Sequence, residues 1–145
     1  MAEERAVEPP RSFWIISGLA LLWNLLGLAT YLMYVKMTDE ALAALPDAER
    51  MLYENTPEWV TAMYAIAVTA GTIGSALLLL RKSWAVPVLL VSLIAVLVQA
   101  SYTLFMSSAV EVLGVQAVIM PLVVVVIGVF LVWYSRKSRE RGWIT

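Results

Sequence analysis

Four stretches of this chain contain no Asp, Glu, Lys or Arg: Phe13–Val35, Trp59–Leu80, Trp84–Met106 and Ala117–Tyr134. Each runs for about 18 to 23 residues. At about 1.5 Å of rise per residue, that length crosses a hydrocarbon layer of about 30 Å. A soluble bundle needs a polar face on each helix, and stretches this apolar leave almost none. Composition points the same way, with 61% hydrophobic and 14% charged residues, where a soluble domain carries about a quarter charged. The expected fold is therefore all-α, an integral membrane four-helix bundle with spans over 13–35, 59–80, 84–106 and 117–134.

Charge sets the expected orientation. Eight of the ten basic residues lie in the N-terminal arm, in the Arg81-Lys82 turn and in the tail from Arg136 to Arg141. The opposite side carries only Lys36 and Arg50, beside Asp39, Glu40, Asp47, Glu49, Glu54, Glu58 and Glu111. Lys and Arg accumulate in short cytoplasmic loops, so both termini and the second loop are expected in the cytoplasm. Residues 1–12 carry three Glu against two Arg, and no small-residue cleavage site follows the first span. It is read as a permanent span rather than a secretion signal.

The soluble parts are short. Residues 1–12 end in Pro9-Pro10 and are expected as a mobile cytoplasmic arm, with Ser12 a candidate cap for the first helix. The outer loop, residues 36–58, is expected to hold two short helical pieces. Thr38 would cap the first and Pro46 would open the second. Pro87 and Pro121 are expected in the first turns of the third and fourth spans, where a missing N–H does no harm. Residues 136–145 form the expected basic cytoplasmic tail.

Several chemistries are excluded by composition. The chain has no Cys and no His, which removes disulfide exchange, thiolate zinc sites and His-ligated haem. No span holds an ionisable acid or base of the kind that serves proton relays. No nucleophile–base pair and no phosphate-binding glycine loop appears. An enzyme is the least supported class, and no metal or cofactor is expected. The acids of the outer loop lack a metal-ligand spacing and read as a solvated face. A pI near 5.4 gives no support to nucleic-acid binding, and the basic tail suits anionic lipid.

What remains is a seam of small and polar residues inside the spans. Ser17, Asn24 and Tyr31 recur every seven residues on the first span, with Ala20, Gly27 and Tyr34 three beyond each. Thr61, Tyr64, Val68, Gly71 and Ser75 continue the seam on the second, where Ala67, Gly71 and Ser75 form a small-xxx-small series. Ser92, Ala95, Gln99 and Tyr102 share a face of the third. The fourth is Val, Ile and Leu around Gly128, which makes it the expected lipid-facing or homodimer surface. Two readings of Asn24 and Gln99 stand side by side. In one they only bond between helices, a gain of about 0.6 kcal/mol each. In the other they line a polar cavity for a small neutral solute, with Thr30, Tyr64, Thr72 and Tyr102 towards the outer half. The four tyrosines have an interface-belt reading as well. Asn24 is expected to point inward and to bond Gln99, Thr72 or a backbone carbonyl beside Gly71. Gly27, Ala67, Gly71 and Ser75 are expected at helix contacts.

On "LLWNLLG" (Leu21–Gly27), "TPEWV" (Thr56–Val60), "GTIGSALLLLRKSWAVPVLLVSL" (Gly71–Leu93) and the basic C-terminal end, the chain resembles a family of small bacterial inner-membrane proteins. Most of that family is uncharacterised, and some members are labelled "sugar transporter". The resemblance covers nearly everything from Phe13 on. It implies a multi-pass inner-membrane protein, with a transporter-like role for a small neutral solute such as a sugar. Some members carry an acid where Thr30 stands and a His where Tyr102 stands, so the departure here weakens proton coupling. A label of this kind does not establish a substrate. The alternative is a non-transporting accessory or scaffold protein whose seam only packs helices. Four helices enclose little space for a sugar, so transport would call for a homodimer through the fourth span.

Overall fold

The structure is a computed structural model that describes residues 7–145. The first six residues of the expected arm lie outside it. Helix α1 spans Arg11–Val35, α2 Asp39–Ala43, α3 Asp47–Glu54, α4 Glu58–Leu79 and α5 Ala85–Ser101. A π-helical turn over Tyr102–Met106 continues α5, followed by α6, Ala109–Leu113, and α7, Gln116–Glu140. Among the described residues four helices are long and apolar enough to cross a membrane: α1, α4, α5 with its π turn, and α7. They pack in chain order, α1 on α4, α4 on α5 and α5 on α7.

Local chemistry explains most boundaries. Thr38 caps α2, its hydroxyl accepting from the Ala41 N–H at 3.1 Å. Asp39 and Glu40 then lie in the first turn, where the helix dipole favours negative charge. Pro46 and Pro57 occupy the positions before α3 and α4, because proline asks nothing of a donor there. Ser12 does not cap α1: Pro10 holds that position and Ser12 falls inside the first turn. Pro121 departs from expectation as well. Helix α7 begins at Gln116, so the proline lies in the second turn and the Ala117 carbonyl loses its i+4 donor.

The end that carries the termini is the tightly packed one. Phe13, Leu78, Ala85, Leu89, Leu131, Tyr134 and Ile144 form its core, with Trp143 against it. Phe13 stacks on Tyr134 with ring centroids 6.4 Å apart and meets Trp143 edge-on at 5.9 Å. Apolar side chains from both ends of the chain thus close this end. The stretch read as a tail is helical to Glu140, and the segment beyond folds back under the helices, burying Ile144. Val7 pairs with it, its N–H donating to the Gly142 carbonyl at 2.9 Å. Ser17, one turn above Phe13, and Tyr134 have buried hydroxyls without a partner among the described residues.

Arg81 ties these pieces together. It ends α4 with a positive φ of 61°, the left-handed conformation that usually takes glycine. The Arg81 N–H donates to the Leu78 carbonyl at 3.0 Å and the Lys82 N–H to the Leu77 carbonyl at 2.8 Å. Glycine would be cheaper at this position by about 1 kcal/mol. The guanidinium supplies what glycine lacks: Nε donates to the Trp143 carbonyl at 2.9 Å and an Nη to the Val7 carbonyl at 2.8 Å.

Candidate functional site

On α1 the small and polar residues lie on the inward face. Ser17 and Ala20 are buried, while Asn24, Gly27, Tyr31 and Tyr34 are half-buried on the same face. Leu19, Leu22, Leu25 and Leu26 point outward. Asn24 lies flat across α4. Its Nδ2 donates to the Ala20 carbonyl of its own helix at 2.8 Å and to Ser75 Oγ at 3.0 Å. Its Oδ1 occupies the space that a Cβ on Gly71 would need. Gly71 is glycine because the carboxamide lies there. Thr72 adds a bond to the backbone beside it, its hydroxyl donating to the Val68 carbonyl at 2.7 Å and towards the Asn24 carbonyl at 3.3 Å. The side chain of Asn24 therefore bonds Ser75 and not Gln99, Thr72 or a carbonyl beside Gly71. Ser75 was expected at this contact for its size, and its hydroxyl is what serves.

The α4–α5 contact is closer still. A Cβ on Gly74 would stand 2.7 Å from Leu89 Cγ and 3.2 Å from the Leu89 backbone nitrogen. Ser92 donates to the Ala67 carbonyl at 2.7 Å. The small series Ala67–Gly71–Ser75 is buried throughout, and Gly27 faces Val68 across the α1–α4 contact.

Above this packed floor the helices part. A cavity of about 290 Å³ lies among α1, α4, α5 and α7. Asn24, Thr30, Tyr64, Ser92 and Gln99 are its polar lining, and Met120, Val124, Ile127 and Leu131 form the α7 wall. Towards the far end is a vestibule of about 250 Å³. Tyr34, Leu52, Thr61, Tyr64, Gln99, Tyr102 and Thr103 are among its lining. Tyr64 and Gln99 line both spaces and stand between them. The Gln99 side chain makes no hydrogen bond among the described residues, although it carries two donors and an acceptor. No lining residue of either cavity carries a formal charge.

Aromatic rings build the vestibule wall. Tyr64 meets Tyr31 edge-on at 5.1 Å and Tyr34 at 6.1 Å. Tyr34 stacks on Tyr53 at 5.0 Å, which docks α3 on α1, and Trp59 meets Tyr102 at 5.6 Å. Burial, followed by the neighbouring Tyr34 phenol and the Glu49 carboxylate, raises the Tyr53 pKa above its ordinary value.

The π turn positions the residues beyond Gln99. Ser101, Thr103 and Ser107 each turn a hydroxyl back to the carbonyl four residues earlier, at 2.8, 3.1 and 2.8 Å. Such back-bonding competes with the regular ladder and bends helices. The ladder here widens, the Ser107 N–H reaching the Tyr102 carbonyl at 3.0 Å, and such turns recur at functional sites.

The expected site residues divide accordingly. Asn24, Thr30, Tyr64 and Gln99 share the middle cavity, and Tyr102 joins Tyr64 and Gln99 at the vestibule. Thr72 lines neither. Sequence reasoning passed over Gly74, the π turn and the α7 wall. The cluster Ser101, Thr103, Ser107 was the signal for the second, while nothing in a uniform Val and Ile run marks which face meets a cavity. No protein-family model, no curated protein and no solved structure matches this chain.

Proposed function

We propose that this is a multi-pass membrane protein with both termini on the cytoplasmic side that binds a small neutral solute at Gln99. In this reading the vestibule faces outward, and the core around Phe13, Leu78 and Tyr134 closes the cytoplasmic side. The basic residues clustered at that end support the orientation. One observation carries the binding role: a carboxamide without a partner among the described residues, inside a helix apolar enough to span a membrane, that lines two cavities at once. A carboxamide that the fold leaves free can pair with a ligand, and a hydrogen bond made against apolar walls is stronger than one made in water. Uncharged walls favour a neutral ligand, and about 290 Å³ is at the lower edge of small-molecule sites. The resemblance to bacterial inner-membrane proteins labelled as sugar transporters agrees with a transporter-like role for a solute such as a sugar.

Asn24 favours a second reading for its own part of the seam. Both its amide protons are spent on Ala20 and Ser75, which is what a packing residue does. If Gln99 did no more, the protein would be a non-transporting accessory or scaffold. Uptake of labelled hexoses by proteoliposomes, wild type against Gln99→Leu, separates the two. Uptake that Gln99→Leu abolishes, with unchanged helicity and elution volume, supports binding. Uptake absent from the wild type, or indifferent to Gln99, rejects transport of a hexose through this site.

A further inference from the structure

The middle cavity has a side that no helix covers among the described residues. Helices α1 and α7 meet near the termini, where Phe13 stacks on Tyr134. Above that point α1 packs on α4 and α7 on α5, so α4 and α5 are the floor of a cleft and α1 and α7 its two walls. Trp23 and Leu26 stand on one rim and Met120 on the other, all lining the cavity and all exposed. In a membrane the open side of this cleft faces acyl chains, not water.

That constrains the ligand. A hexose held in this cleft, rather than in the vestibule, would turn several hydroxyls towards hydrocarbon, an unfavourable transfer unless each is paired. The α7 wall has no polar side chain with which to pair them. The opposite corner, at Gln99 and Tyr64, offers donors and acceptors but no charge. The cleft is therefore amphipathic along its length: apolar and open to lipid between α1 and α7, polar and neutral where it meets the vestibule. We infer that the occupant is a neutral single-chain amphiphile, which enters sideways from the bilayer. Its chain lies between Trp23 and Val124, and its uncharged hydroxyl-bearing head reaches Gln99. This rests on Gln99 being a ligand contact, and it narrows the small neutral solute to one carried in the lipid. A charged head is disfavoured because no lining residue could pair with it.

Trp23 provides the readout. The full chain is placed in phosphatidylcholine nanodiscs and quenched with 1-(9,10-dibromostearoyl)glycerol, using dibrominated phosphatidylcholine and dibrominated stearate as comparisons. Trp23→Phe supplies the signal of the other tryptophans for subtraction. The monoacylglycerol should quench Trp23 at a mole fraction roughly tenfold below that of either comparison, equivalent to about 1.4 kcal/mol of preference. Val124→Phe and Ile127→Phe, which fill the cleft, and Gln99→Leu, which removes the head contact, should each abolish the preference. Val126→Phe on the exposed face of α7 should leave it. Helicity and elution volume identify the variants that fold. Equal quenching by all three lipids would mean an ordinary lipid contact and overturn the proposal. A preference lost in the filled variants but kept in Gln99→Leu would overturn it too, because the head would lie elsewhere. Gln99-dependent hexose uptake without any monoacylglycerol preference would leave the neutral-solute reading standing and this one refuted.

Discussion

Gly71→Ala adds one methyl group at the point where α1 crosses α4. Its Cβ would overlap Asn24 Oδ1 and stand 3.1 Å from Ser92 Oγ, so two neighbouring helices must yield. Overpacking of this kind costs about 1–3 kcal/mol. Displacing the carboxamide also loosens its bond to Ser75, a further 0.6 kcal/mol or about that. Against this, alanine is the better helix former by about 1 kcal/mol. The net expectation is a loss of about 0.6–2.6 kcal/mol. Gly18→Ala is the control, since a Cβ there meets nothing within 4 Å, and it should stabilise by up to about 1 kcal/mol. Reversible unfolding by dodecyl sulfate in mixed micelles measures both. The decisive variant is Asn24→Ala, which removes the overlapping oxygen and should recover most of the Gly71→Ala loss in the double mutant. If Gly71→Ala costs the same with and without Asn24, or stabilises as much as Gly18→Ala, the carboxamide does not lie over Gly71.

Three further outcomes follow from other parts of the structure. Single cysteines at Ser83 and Asp47 should react with an impermeant maleimide from opposite sides of the membrane, and labelling from one side would reject the orientation. Arg81→Ala should destabilise by about 1 kcal/mol more than Arg81→Gly, because glycine alone relieves the left-handed backbone. Both should open the segment beyond Glu140 to protease, since both lose the guanidinium bond to Trp143; protection retained in both variants would remove Arg81 from that role. The raised Tyr53 pKa makes docking of α3 pH-dependent. Because the folded value lies above the ordinary 10.0, this contribution is complete below about pH 10 and is lost as the pH rises through the folded value. Proteolysis within α3 should therefore increase above pH 10, and Tyr53→Phe should remove that dependence; an unchanged profile would mean that Tyr53 is not what couples docking to pH.

The number, length and apolar character of the long helices were legible because lipid imposes one dominant rule, that each crossing segment be long and uncharged. The α1 face was legible for a related reason. A repeat of small and polar residues every seven positions returns to the same side of a helix, and leucines elsewhere leave it the only side that can face inward. The fourth span shows the limit of that logic. Val123 to Val126 look alike to a hydropathy argument, yet Val124 lines the cavity and Val126 is 66% exposed. Only the neighbour on the other side distinguishes them. The segment beyond Glu140 was illegible in a different way. Its charges dominate any reading of composition, while Trp143 and Ile144, which close the core, are too few to register.

Asn24 and Gln99 are the same functional group on two helices, and the sequence offers no reason to treat them differently. Their surroundings do. Above the tight end, α1 and α4 approach closely enough at Gly71 that a carboxamide on one can reach a hydroxyl on the other, and Ser75 is there to take it. At the height of Gln99 the helices have begun to separate, and Thr103, one turn on, spends its hydroxyl on the Gln99 backbone carbonyl and not on the side chain. The first carboxamide is thereby consumed in holding the fold, and the second is left with its donors and acceptor between two cavities. Function is more readily sought at the group whose hydrogen bonds the fold has not already used.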